Sequence, residues 1–116
     1  MNFEGALIIV LDRLEECEVP YMITGSFAGN VHGVPRTTYD ADIVIKTNVS
    51  SIMRFIKLLG KEFYVSEEAA KEAVDNYQIF NIIHYETGLK VDLIICCVIY
   101  YKNISLSYES GKIHAL

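Results

Sequence analysis

Apolar side chains recur at steps of three and four from the start of the chain, at Phe3, Leu7, Val10, Leu11, Leu14 and Cys17. Glu4, Asp12, Arg13, Glu15 and Glu16 fall mostly between them. This spacing predicts an amphipathic helix that lays one stripe on a core, and Pro20 follows its end because proline cannot continue it. Tyr21 to Thr24 predicts a short buried strand running into Gly25-Ser26, and Ser26 to His32 a short helix stopped by Gly33, with Pro35 beyond. Thr38 to Lys46 is rich in β-branched residues and predicts a second strand. Asn48 or Ser50 caps a further helix whose stripe is Ile52, Phe55, Ile56 and Leu59, and Gly60 ends it. Phe63 to Val65 predicts a short strand, and Ser66 caps the charged helix EEAAKEAV, with two glutamates in its first turn. Tyr77 to Tyr85 and Leu89 to Cys96 predict two strands joined through Glu86-Thr87-Gly88, where glycine supplies a positive φ. Beyond Tyr101 the pattern is irregular, and Tyr108 to Leu116 carries no strong signal. The whole order predicts one domain over residues 1–116 of the α/β (α+β) class, a small mixed sheet flanked by helices.

Composition narrows what such a domain does. At 116 residues, 52% apolar and 22% charged, the chain has enough hydrophobic matter for one core and too much to be disordered. Ten basic against fifteen acidic side chains give a net charge of −5, which argues against affinity won by coating a phosphate backbone with cations. An enzyme acting on nucleotides stays open, because Mg²⁺ supplies positive charge locally. Cys17, Cys96 and Cys97 form no CxxC or zinc-type spacing and are expected to be reduced, small hydrophobes. The N-terminus has no basic region followed by a cleavage site, and the apolar run Leu93 to Tyr101 is about half the length a membrane-spanning helix needs. The expected location is cytoplasmic, with no membrane partner.

The chemistry concentrates in GSFAGNVHGVPRTTYDADIVI, Gly25 to Ile45. Asp40 and Asp42, two apart on a strand, project to one face with Cα atoms about 7 Å apart, while Ala41, Ile43 and Ile45 face inward. Two like charges with no base between them repel, and a cation relieves that repulsion. Asp92 interrupts the apolar run LKVDLII, where a lone buried carboxylate costs several kcal/mol unless paired or metal-bound. Three acids on two strands suit a site for two Mg²⁺ ions held about 3.5–4 Å apart for phosphoryl-type displacement. Gly25-Ser26, at a strand end and helix start, offers backbone N–H groups and a hydroxyl to a phosphate. Plainer roles fit the same residues: a strand-start Asp40, a solvent-facing Asp42, a hairpin Asp92, a serine cap at Ser26 and a surface Arg36. The nearby bases able to grip a triphosphate are Arg36, Lys46 and Lys90.

The run from Gly25 to Ile45, followed about fifty residues later by KVDLI, resembles the nucleotidyltransferase superfamily (the polymerase β-like fold), and within it the small nucleotidyltransferases of the AbiEii toxin type. The likeness spans roughly Tyr21 to Ile95. It implies that Gly25 and Ser26, with Arg36, hold a nucleoside triphosphate such as ATP, and that Asp40 and Asp42 bind Mg²⁺. It also implies that Asp92 binds the nucleophile-side metal and helps deprotonate the acceptor hydroxyl. The implied reaction transfers a nucleoside monophosphate from an NTP to a hydroxyl acceptor (transfer RNA, a protein or a small molecule) and releases pyrophosphate. Members usually continue into a helical C-terminal region, whereas here about two dozen residues follow Asp92. The alternative expectation is therefore a catalytically inactive module of the same fold, a binding subunit or toxin–antitoxin component.

Overall fold

The computed structural model describes residues 1–23 and 40–96, together with the backbone of two later strands, Leu106–Glu109 and Lys112–Ala115. The chain builds a small mixed α/β fold, a central sheet flanked by helices. Helix α1 spans Phe3–Glu16, strand β1 Tyr21–Ile23, β2 Asp40–Ile45, helix α2 Val49–Leu59, β3 Phe63–Val65, helix α3 Glu67–Asn76, β4 Ile79–His84 and β5 Lys90–Ile95. The later strands, β6 (Leu106–Glu109) and β7 (Lys112–Ala115), pair antiparallel as a separate two-stranded sheet. The other five form one sheet in the order β1-β2-β5-β4-β3. In it β2 and β5 run parallel and the remaining neighbours antiparallel.

Local chemistry accounts for the element boundaries. The side chains of Asn2, Asn48 and Ser66 accept hydrogen bonds from the backbone N–H groups of Gly5, Ser51 and Ala69, so each helix starts on a capped donor. Gly60 ends α2 at φ 70°, and Gly88 turns the β4–β5 hairpin at φ 76°. The helix α3 ends on Tyr77, which adopts the left-handed conformation at φ 54°. Tyr77 is therefore a helix cap and not, as its β-propensity predicts, the first residue of a strand.

The helices pack their stripes on one face of the sheet. Leu7, Val10 and Leu14 of α1, Ile52, Phe55, Ile56 and Leu59 of α2, and Ala70 and Ala73 of α3 share one core with Ala41, Ile43 and Ile45 of β2, Phe80 and Ile82 of β4, and Val91, Leu93 and Ile95 of β5. His84 is the one buried polar side chain among the described residues. Its Nδ1 lies 2.8 Å from Thr87 Oγ1 and accepts a bond from the Thr87 N–H, which fixes the hairpin turn. The strand β1 is an edge strand with Ile23 exposed, where the apolar run YMIT predicts burial. Sequence alone does not reveal that this run lies at a sheet edge, with β2 on only one side. The predicted helix at residues 26–32 lies outside the described residues.

Candidate functional site

Alternation sorts the sheet into two unlike faces. On β2 the residues 41, 43 and 45 enter the core, so Asp40 and Asp42 share the opposite face. On β5 the same rule buries residues 91, 93 and 95 and turns Lys90, Asp92 and Ile94 outward. The parallel register then sets Asp42 directly beside Asp92 and Asp40 beside Lys90. These four side chains occupy the corners of a patch about 4.8 Å wide and about 7 Å long in backbone spacing. Continuing across β4, Asn81 stands beside Asp92 and Ile83 beside Lys90. The row ends on β3 at Tyr64, the register partner of Ile83. A second row, Met22, Val44, Ile94 and Ile79, borders the acids with apolar side chains, of which Val44 is fully buried.

The electrostatics of the patch centre on Asp92. Its side chain is 28% exposed, and Lys90 Nζ lies 3.7 Å from its Oδ1. Burial pushes the Asp92 carboxyl above the usual aspartate range; the Lys90 charge pulls it back, and Asp42 and Asp40 push it up again. Asp42, its register partner on β2, is the larger of the two acidic influences. The sequence predicts that Asp92 lies in a buried strand and is therefore paired or metal-bound. The structure pairs it with Lys90 and leaves it only half-buried, because the outer face of β5 lies away from the helical core.

Asp40, Asp42 and Asp92 are thus brought to one face of two adjacent strands. Among the described residues, no group of three or more His, Cys, Asp and Glu side chains is arranged to hold a metal ion. Gly25, Ser26 and Arg36, expected to hold the nucleotide, lie outside the described residues, as do His32, Thr38 and Tyr39. Lys46 is exposed just past the end of β2. Sequence reasoning missed Asn81, whose side chain makes no hydrogen bond to any described residue. Its signal was a single polar residue at an outward position of the apolar run IFNIIH, and it gains meaning only from the register that puts it next to Asp92. No helix among the described residues is long and apolar enough to cross a membrane. Compared with known proteins, the chain matches no family model, no curated protein and no solved structure.

Proposed function

We propose that this chain is a nucleotidyltransferase-fold protein whose outer sheet face binds an NTP with Mg²⁺ and transfers its nucleotidyl group to a hydroxyl acceptor. The observation that supports it best is the pairing of Asp42 with Asp92 in parallel register, with Asp40 on the same face. Packing gives no reason to set two carboxylates side by side on neighbouring strands, where like charges destabilise the sheet. The chemistry of the donors is of the kind Mg²⁺ takes: carboxylate oxygens are hard ligands, and this ion uses one or two of them and completes its shell with water and substrate phosphates. Asp40, Asp42 and Asp92 would hold it; once bound, it supplies positive charge to the phosphates and polarises them. Asp92 would also help receive the acceptor's proton, and Gly25, Ser26 and Arg36 would orient the triphosphate. Binding of NTP and Mg²⁺ together should raise the melting temperature; at a hundredfold the dissociation constant the stabilisation is about 2.7 kcal/mol. The test is a thermal-shift series of wild type and Asp42→Asn with each NTP, with and without Mg²⁺. A shift that needs both ligands and is lost in Asp42→Asn supports the function, and no shift with any NTP overturns it.

A second function has its own observation. Asp92 already meets Lys90 and Asp42 within the chain, as expected of an inactive module that retains its acids without metal. Such a module shows partner binding, with neither NTP-dependent stabilisation nor pyrophosphate release.

A further inference from the structure

We propose that the outward face of α2 is a docking surface for an acidic segment of another protein, one strand or helix wide, that carries an apolar side chain among its acids. The inference is independent of the nucleotide function, because α2 packs on the inner face of the sheet, opposite the acid patch. Within a chain of net charge −5, α2 has two bases, Arg54 and Lys57, and no acid, and Lys61 follows in the next turn. Its neighbours are the reverse: α1 and α3, both packed against it, each carry four acids and one base. Arg54, Lys57 and Lys61 are exposed, yet none makes an ion pair with a described acid. Glu109 is the one acid whose side chain lies outside the described residues. The helix macrodipole accounts for Lys57, in the last turn, but its pull does not extend back to Arg54. Leu58, 38% exposed beside these bases, adds an apolar contact. The flanking helices set the width of the partner. Packed helices lie about 8–10 Å apart, roughly one Debye length at physiological salt. A bilayer or a duplex laid flat on this layer therefore faces the acids of α1 and α3 as well as the bases of α2, whereas a narrow segment along α2 meets the bases alone. A second copy of this chain brings its acidic helices only against the repulsion of two net charges of −5.

Chemical-shift titration of the isotope-labelled full chain tests this, with a short peptide of glutamates bearing leucine at every fourth position as the probe. Its lysine counterpart, phosphatidylserine vesicles and a short DNA duplex are run beside it. The glutamate peptide should give saturable shifts centred on Arg54, Lys57, Leu58 and Lys61, and the lysine peptide none there. The double variant Arg54→Glu/Lys57→Glu should bind the glutamate peptide about tenfold more weakly, since two exposed ion pairs become repulsions. Arg54→Gln/Lys57→Gln serves in its place if circular dichroism shows the first variant unfolded. Absence of saturable shifts on α2, shifts centred on another face, or equal binding of the lysine peptide overturns the proposal. Vesicles or duplex that perturb α2 as strongly as the peptide overturn the narrow partner, and a charge-reversed variant that binds like wild type overturns the role of the bases. A wild type that sediments as a dimer, beside a monomeric charge-reversed variant, assigns the face to a second copy and overturns it as well.

Discussion

At the scale of single residues, Asp92 carries the clearest consequence. Its carboxyl is raised by burial and by Asp42 and Asp40, against the pull of Lys90. The folded state therefore binds the proton more tightly than the unfolded chain, and stability falls as pH climbs from the ordinary aspartate value through the raised folded one. Above that window the full penalty of burying the charge beside like-charged neighbours is present; below it the penalty vanishes. Asp92→Asn removes the titration and keeps the shape. The variant should be more stable than wild type at pH 7 by roughly 0.2–1 kcal/mol, the scale of opposed like charges across strands, and should lose that advantage near pH 3. Urea denaturation at the two pH values reads this directly. Cys17 is a residue of the opposite kind. Burial pushes its thiol up, only partly offset by the Arg54 charge, and Glu16 raises it further. A buried thiol with little thiolate is inert. Peptide-mapped iodoacetamide labelling at pH 8 should find Cys17 unmodified in the native protein and modified once urea unfolds it.

At the scale of elements, the two positions that flank β4, Tyr77 and Gly88, both favour glycine, and only one of them has it. Tyr77 closes α3 with φ 54° although its side chain is 63% exposed and contributes little packing. A non-glycine residue in that conformation costs about 1–2 kcal/mol, and glycine's own entropy cost takes back about 0.5–1 kcal/mol of the gain. Tyr77→Gly should therefore stabilise the protein by roughly 0.5–1 kcal/mol. Gly88 has open space around its Cβ position, yet its φ of 76° makes Gly88→Ala destabilising by about 1 kcal/mol. Thermal melts of the two variants should move in opposite directions. These positions also show how far the sequence could be read. Asn48, Ser66, Gly60 and Gly88 were legible because each carries its own signal, a cap oxygen or a residue suited to positive φ. Tyr77 was not, since an aromatic residue in a glycine's conformation looks like the start of a strand. The β6–β7 hairpin was also missed. Leu106 and Tyr108 alternate with polar residues and lead to a Ser-Gly dipeptide, as Ile113 and Ala115 do on the other side, but four-residue strands give alternation little length to show itself. The strand order was less legible still. Two strands fifty residues apart become parallel neighbours, a long-range choice that no local pattern announces, so the cost of a lone buried Asp92 and the resemblance suggested that the acids meet, and only the register pairs Asp42 with Asp92.

At the scale of the whole molecule, the two faces of the sheet differ in what they carry. The inner face is committed to the helices: Ile43, Val91 and Leu93 are fully buried in the common core. The outer face sets Asp40, Asp42, Lys90, Asp92 and Asn81 along adjacent strands, bordered by the exposed apolar residues Tyr64 and Ile79. Because neighbouring positions on one strand serve opposite faces, substitutions one residue apart should have opposite effects. Leu93→Ala empties a packed site and should cost about 2–5 kcal/mol. The double variant Asp42→Asn/Asp92→Asn replaces a repelling pair by two amides able to hydrogen-bond each other, and should be at least as stable as wild type. Sites that hold like charges together for a ligand sacrifice stability for that task, so the double variant that gains stability should also lose every NTP- and Mg²⁺-dependent rise in melting temperature. Urea denaturation and thermal shift on the same three proteins check both halves. A double variant less stable than wild type would make the acid pair a structural feature of the sheet and remove the physical ground for placing a cation on it.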